Sequence, residues 1–144
     1  MRAMAGAGVA AERSGDERVL TLSRRFVKLR EALVPYLERS ARETITTDRP
    51  LMRPLFFDWP ADPEVWTAPT QWMLGADLLV APVLEEGSER RRVYLPEGDW
   101  IDVWTGESTS GRRSIEVEAP IDQIPVYGRA GASSERLALF RADG

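Results

Sequence analysis

Four aspartates form the only side-chain arrangements in this sequence that suggest bond-breaking chemistry. Asp58 and Asp62 make one pair, and Asp99 and Asp102 another. Two carboxyls can flank a glycosidic bond and divide the acid, base and nucleophile roles. They stand about 5–5.5 Å apart for retention and about 6.5–9.5 Å apart for inversion. Composition excludes most other chemistries. The 144 residues contain no cysteine and no histidine. Disulfides, thiol nucleophiles and cysteine-ligated zinc are therefore excluded, as are His-based triads, general bases and metal sites. Lys28 is the only lysine. No phosphate-binding glycine loop, EF-hand or zinc spacing is present, so no metal and no cofactor are expected. Both aspartate pairs have a plainer reading as turn and surface residues. Asp58 is followed by Pro60, Asp62 and Pro63, and Asp99 closes the turn Pro96-Glu97-Gly98. That reading is preferred, and no catalytic residue is expected in this chain.

The aromatic residues offer a second kind of site. All five tryptophans (Trp59, Trp66, Trp72, Trp100 and Trp104) fall within residues 50–106. Trp100 and Trp104 share one face of an alternating stretch, WIDVW, and could form a sugar-stacking platform. Filling a sandwich core is the preferred alternative. Residues 51–59, LMRPLFFDW, are apolar on both faces apart from Arg53 and Asp58. This is the pattern of a strand in a buried, usually parallel, sheet. Pro54 suggests an irregularity within it. Asp58 and Trp59 lie at the C-terminal end, where barrel enzymes carry their chemistry, and are the candidate substrate-binding residues. The plainer reading is that Asp58 caps the next turn and Trp59 packs.

These residues must be positioned by a chain of globular composition, 43% hydrophobic and 29% charged. A net charge of −4 gives no general attraction to a phosphate backbone, so no nucleic-acid partner is expected. No apolar run approaches the ~18 residues of a membrane span. The N-terminus lacks the apolar core of a signal peptide, so a cytoplasmic location and no membrane partner are expected. Residues 1–13 read as a mobile arm, within an opening region of residues 1–21. Ser14-Gly15-Asp16-Glu17 fits a capping box. Val19, Leu22, Phe26, Leu29, Leu33 and Leu37 then recur at helical spacing. Pro35 should kink this helix, and the β-branched run from Thr44 should end it near residues 43–44.

A connector with one helical turn at residues 71–74 follows. Strands are expected at residues 78–84, 91–95, 100–104, 113–118 and 124–127, with a last one at 137–140. Residues 108–111 read as a polar loop. Short strands at spacings of about 8–12 residues suggest an antiparallel sandwich. The chain thus divides into residues 22–75, an incomplete α/β unit, and residues 76–144, a small β domain. One helix and one parallel-type strand cannot form a layered structure alone, so a larger whole or a partner is expected.

Five co-linear segments carry a resemblance. They are LREALVPYL, RPLMRPLFFDWPADPEVW, QWMLGADLLVAPVLEEG, RRVYLPEGDWIDVWTGE and APIDQIPVYGRAGA, covering most of residues 22–132. Together they resemble the C-terminal part of glycoside hydrolase family 31, the α-glucosidase and α-xylosidase family. The resemblance implies an α+β fragment. Its helix and strand would be the last of a (β/α)8 barrel, with residues 51–59 as the eighth strand, followed by a small antiparallel β-sandwich. It implies a retaining α-glycosidase that uses two aspartates upstream of this part. Neither aspartate motif is matched here. Trp100-Ile101-Asp102-Val103 resembles the nucleophile motif superficially, but its setting in YLPEGDWIDVWTGE is the sandwich strand. The implied partner is a missing upstream barrel segment or a split-enzyme subunit, with carbohydrate bound only in the full enzyme. A free-standing carbohydrate-binding or interaction module is the alternative. Residues 1–16 and the tail SSERLALFRADG depart from the family pattern.

Overall fold

The computed structural model describes residues 17–141. The arm expected at residues 1–13 and the Ser14 cap lie outside the described residues. Helix α1 runs Glu17–Thr47. It passes through Pro35 without interruption, with the ring exposed to solvent. It also continues past its expected end. The hydroxyls of Thr44, Thr46 and Thr47 donate back to carbonyls of the preceding turn, Thr44 to Ser40 at 3.1 Å and the other two to Glu43 at 3.1 and 2.6 Å. Such back-bonding lets β-branched polar residues stay helical. Asp48 then ends the helix in a left-handed conformation, φ 55°, and its N–H closes the last turn on Thr44 O at 3.0 Å.

The strand expected over residues 51–59 is corrected. Only Met52–Pro54 is extended, as β1, and Leu55–Asp58 forms one helical turn, α2. Pro54 explains both facts. It has no N–H to donate and its φ is −63°, so it suits the end of an edge strand and the start of a helical turn. β1 pairs antiparallel with β2 and lies at the sheet edge, so it is not a buried parallel strand. The double-sided apolar pattern came from the turn instead. Leu55 is buried, whereas Phe56 and Phe57 face outward.

A short 3-10 helix, Pro63–Thr67, precedes β2 (Trp72–Leu74) and β3 (Leu78–Val80). The helical turn expected at residues 71–74 is therefore a strand. Gln71 shows why the chain is extended there. Its buried amide donates to Tyr94 O at 2.9 Å and accepts from Tyr94 N at 2.8 Å. The side chain acts as a ladder rung to β4 (Arg90–Leu95). The remaining strands are β5 (Asp99–Asp102), β6 (Ser108–Ser110), β7 (Arg113–Glu118) and β8 (Val126–Arg129). β6 occupies the expected polar loop and pairs with β5. The strand expected at residues 137–140 is also corrected. Ser134–Ala138 is a helix, α3, capped by the Ser133 side chain accepting from Arg136 N. Leu137 and Phe140 are three apart, which suits a helix face.

Six strands form one antiparallel sheet in the order β1-β2-β3-β8-β5-β6, and β4 and β7 form a separate ribbon. β2 and β3 pair across the division expected at residues 75 and 76. The sheet is buried on both faces. Met73, Leu79, Trp100 and Tyr127 point toward the ribbon and pack with Leu55, Val65, Val93 and Leu95. Leu78, Val126 and the half-buried Ile101 point the other way, toward Leu33 and Tyr36 of α1, Leu137 within α3 and Phe140 just beyond it. Period-two alternation along each strand thus feeds two cores at once. The described residues form a small antiparallel β domain with one long helix packed on its sheet. Among them no helix is long and apolar enough to cross a membrane.

Candidate functional site

Asp58 closes α2, and its side chain is 3% exposed. The Arg53 Nε–H donates to its two oxygens at 3.1 and 3.0 Å. Arg49 Nη2 donates to Oδ1, and Arg129 Nη2 donates to Oδ2 at 3.4 Å. A carboxylate offers about four acceptor sites, and three guanidiniums occupy them. Arg53 also ties back to Pro50 O at 3.0 Å. This arrangement joins the chain before β1, the α2 turn and β8. The carboxylate that sequence pattern placed at a site wall is thus enclosed by arginines.

Trp59 follows and is half-buried. The Arg129 guanidinium lies 4.5 Å from its ring centroid, and Trp100 packs against it at 5.9 Å. Burial lowers the Arg129 pKa, and the Asp58 charge opposes that shift. Asp58 and Trp59 line a cleft of about 540 Å³ together with Asp62, Glu64, Tyr94, Glu97 and Arg112. Asp62 caps the 3-10 helix by accepting from Glu64 N at 3.0 Å, and it accepts the Tyr94 hydroxyl at 2.6 Å. Glu97 and Arg112 pair at 2.9 Å on the exposed rim. The cleft therefore brings Asp58 and Asp62 together, but each is committed to its neighbours.

The second aspartate pair lies elsewhere. Asp99 accepts from Ser110 Oγ at 3.1 Å across β5 and β6. Asp102 caps the turn after β5, accepting from Trp104 N at 2.8 Å and Thr105 N at 3.2 Å. That turn also separates the two tryptophans expected on one face. Trp100 is buried toward the ribbon, and its Nε1–H donates to Pro96 O at 2.8 Å. Trp104 packs on the helix side against Phe140, under the Arg25 guanidinium at 5.1 Å. Sequence reasoning missed the arginine cluster. Arg53 at five residues from Asp58 was a usable local signal, whereas Arg129 is brought in from 71 residues away.

All three tyrosines are held protonated beyond their ordinary range. Burial raises Tyr94, helped by its hydrogen bond to Asp62. Burial raises Tyr127, helped by the charge of Asp102. Burial also raises Tyr36, partly opposed by the Asp77 N–H. A phenol with a raised native pKa binds its proton more tightly in the folded chain than in the unfolded one. Its stabilisation is complete below the unfolded value of about 10 and is lost as pH rises through the native value. We predict that absorbance at 295 nm will show no phenol titrating near pH 10 in the folded chain. All three should titrate together with cooperative unfolding at higher pH. A separate phenol transition near pH 10 with the fold intact would contradict this.

The family profile of the glycosyl hydrolase family 31 C-terminal domain matches residues 48–132. The 1,3-α-isomaltosidase of Kribbella flavida is 54% identical over 131 residues, covering 90% of this chain and 18% of that protein. The sulfoquinovosidase of Escherichia coli is 40% identical over 126 residues, covering 88% of this chain and 18% of that protein. Among solved structures, a mutant of Kfla1895 in complex with isomaltose superposes with a TM-score of 0.88 at 51% identity, covering 93% of this chain and 19% of that one. The cycloalternan-degrading enzyme of Trueperella pyogenes in complex with isomaltose gives a TM-score of 0.84 at 42% identity, covering 88% and 18%. The chain therefore spans less than a fifth of the length of these relatives. The sheet, the ribbon and the arginine-clamped turn all fall within the matched residues, and the chain belongs to glycoside hydrolase family 31 through that family's C-terminal domain.

Proposed function

We propose that this chain supplies the C-terminal, supporting portion of a retaining α-glycosidase that hydrolyses O-glycosyl bonds. In this reading α1 takes the place of the last helix of a (β/α)8 barrel, and the β domain buttresses it. The barrel comes from polypeptide outside these residues, in the same chain or as a split-enzyme subunit. Carbohydrate is bound by the whole enzyme. The observation that carries the reading is the state of Asp58. Its acceptor sites are filled by Arg49, Arg53 and Arg129, so it holds the turn and is not offered to a substrate. Three tryptophans, Trp59, Trp100 and Trp104, are covered, which speaks against a free-standing sugar-binding module built on them. Trp100 is buried, and Trp59 and Trp104 lie under arginines.

Two assays test this. The purified chain should show no turnover of aryl α-glucosides or α-xylosides. A chimera should also be made, in which this chain replaces the matched segment of the Kribbella flavida 1,3-α-isomaltosidase. It should retain that enzyme's activity. Turnover by the chain alone that disappears with Asp58→Asn or Asp102→Asn would overturn the reading, as would a folded but inactive chimera.

A further inference from the structure

The first twenty residues of the matched domain carry an apolar surface that the fold leaves open. Met52 of β1 is 58% exposed, Phe56 and Phe57 of α2 are 38% and 42% exposed, and Trp66 of the 3-10 helix is 62% exposed. Phe56 and Trp66 stack in parallel, with ring centroids 4.5 Å apart and planes 2° apart. The stack fixes both rings before any partner arrives, so little side-chain freedom remains to be lost on docking. Clustered exposed aromatics of this kind mark an interaction surface.

Three observations narrow the occupant. β1 is a sheet edge, but Pro54 removes a backbone donor from it, so pairing by an added strand is disfavoured. Contact must come through side chains. A saccharide platform needs polar groups beside the ring to hold hydroxyls. The hydroxyl next to Trp66 in sequence, on Thr67, already gives its proton to Glu64 O at 2.7 Å. Finally, the surface lies just after residue 48, where the matched domain begins. Relatives at this level of identity extend over more than four-fifths of their length outside the matched segment.

We propose that the Phe56–Trp66 face is the seat on which the remaining polypeptide of the glycosidase docks, with the stacked pair as its anchor. The inference rests on the supporting role proposed above and names the surface through which that role is exerted. The partner surface is apolar and belongs to the same enzyme.

The test uses the double variant Phe56→Ser/Trp66→Ser in two settings. In the chain alone the double variant removes one stacked pair of partly exposed rings, so the thermal midpoint should fall by only about 2–6 °C and self-association at high concentration should fall. In the chimera the same pair should lower the thermal midpoint of the whole enzyme by at least about twice the shift seen in the chain alone, because the anchor's contacts with the partner surface are lost as well. An active chimera that tolerates the double variant unchanged would overturn the docking surface while leaving the supporting role intact. An inactive parent chimera would instead overturn the supporting role and the docking surface with it. Quenching of the isolated chain's fluorescence by isomaltose, lost with Trp66→Ser, would reassign the face to saccharide. A dimer of the isolated chain that dissociates with Trp66→Ser, beside an unaffected chimera, would reassign it to a second copy.

Discussion

Replacing Asp58 with alanine is expected to lower the stability of the folded chain by about 3–5 kcal/mol, the cost of breaking a buried ion pair from one side. The side chains of Asp58 and Arg53 are 3% and 6% exposed. Without the carboxylate, the Arg53 charge stays buried, and its hydrogen bond to Pro50 O at 3.0 Å is a poor substitute for an anion. Arg129 loses its anion too, and burial already disfavours its charge. In a thermal melt the loss corresponds to roughly 10–20 °C for a domain of this size. Arg49 provides the contrast. Its side chain is 52% exposed, so Arg49→Ala should cost at most about 1 kcal/mol, as solvent-screened pairs do. A midpoint for Asp58→Ala within about 3 °C of the parent would mean that the carboxylate is not structural. It would return Asp58 to the list of residues available to a ligand.

Gly75→Ala should be nearly as damaging, by about 2–5 kcal/mol when the backbone and packing costs are combined. Gly75 has φ +64° at the tight turn between β2 and β3. A Cβ there would lie 2.2 Å from the Tyr36 hydroxyl and 2.7 Å from Ser40 Oγ. That hydroxyl donates to Leu74 O at 2.6 Å and accepts from Asp77 N at 3.2 Å. Arg136 stacks on the Tyr36 ring at 4.3 Å. The turn, α1 and α3 therefore meet at one phenol, and a methyl group at residue 75 would push it out. Denaturation midpoints of the parent, Gly75→Ala, Tyr36→Phe and the double variant should be strongly non-additive. Tyr36→Phe alone should cost about 1–3 kcal/mol, because two backbone groups lose a partner. It should cost much less once Gly75→Ala has displaced the hydroxyl. Additivity within about 0.5 kcal/mol would place the phenol away from Gly75.

The outcome for residues 51–59 shows how a sound pattern can mislead. A largely apolar stretch of nine residues reads equally well as a strand or as a shorter strand plus a helical turn. Pro54 was the signal that separated them, and it signified the end of the strand. Residues 137–140 failed for the same reason. Four apolar-rich residues are too few to show a period, and the Ser133 cap that starts α3 is a stronger local cue than the run itself. By contrast, β7 was legible because six residues alternate cleanly, and its expected and observed bounds agree, Arg113–Glu118.

The sequence alone determined the long amphipathic helix, the antiparallel β character of the second half and the family. Each rests on interactions between near neighbours or on residue order, which the chain displays directly. The absence of histidine and cysteine likewise narrowed the chemistry before any fold was known. Only the tertiary structure decided what surrounds the candidate residues. Alternation shows which side chains share a strand face, but not what covers that face. Here one sheet receives a ribbon on one side and α1 with α3 on the other. Charge pairing is equally non-local. Asp58 is a site candidate when read beside Trp59, and becomes the centre of an arginine clamp only when folding brings Arg129 across from β8. Contacts between residues far apart in the chain form only as the core closes, and they complete the ring of arginines around the carboxylate.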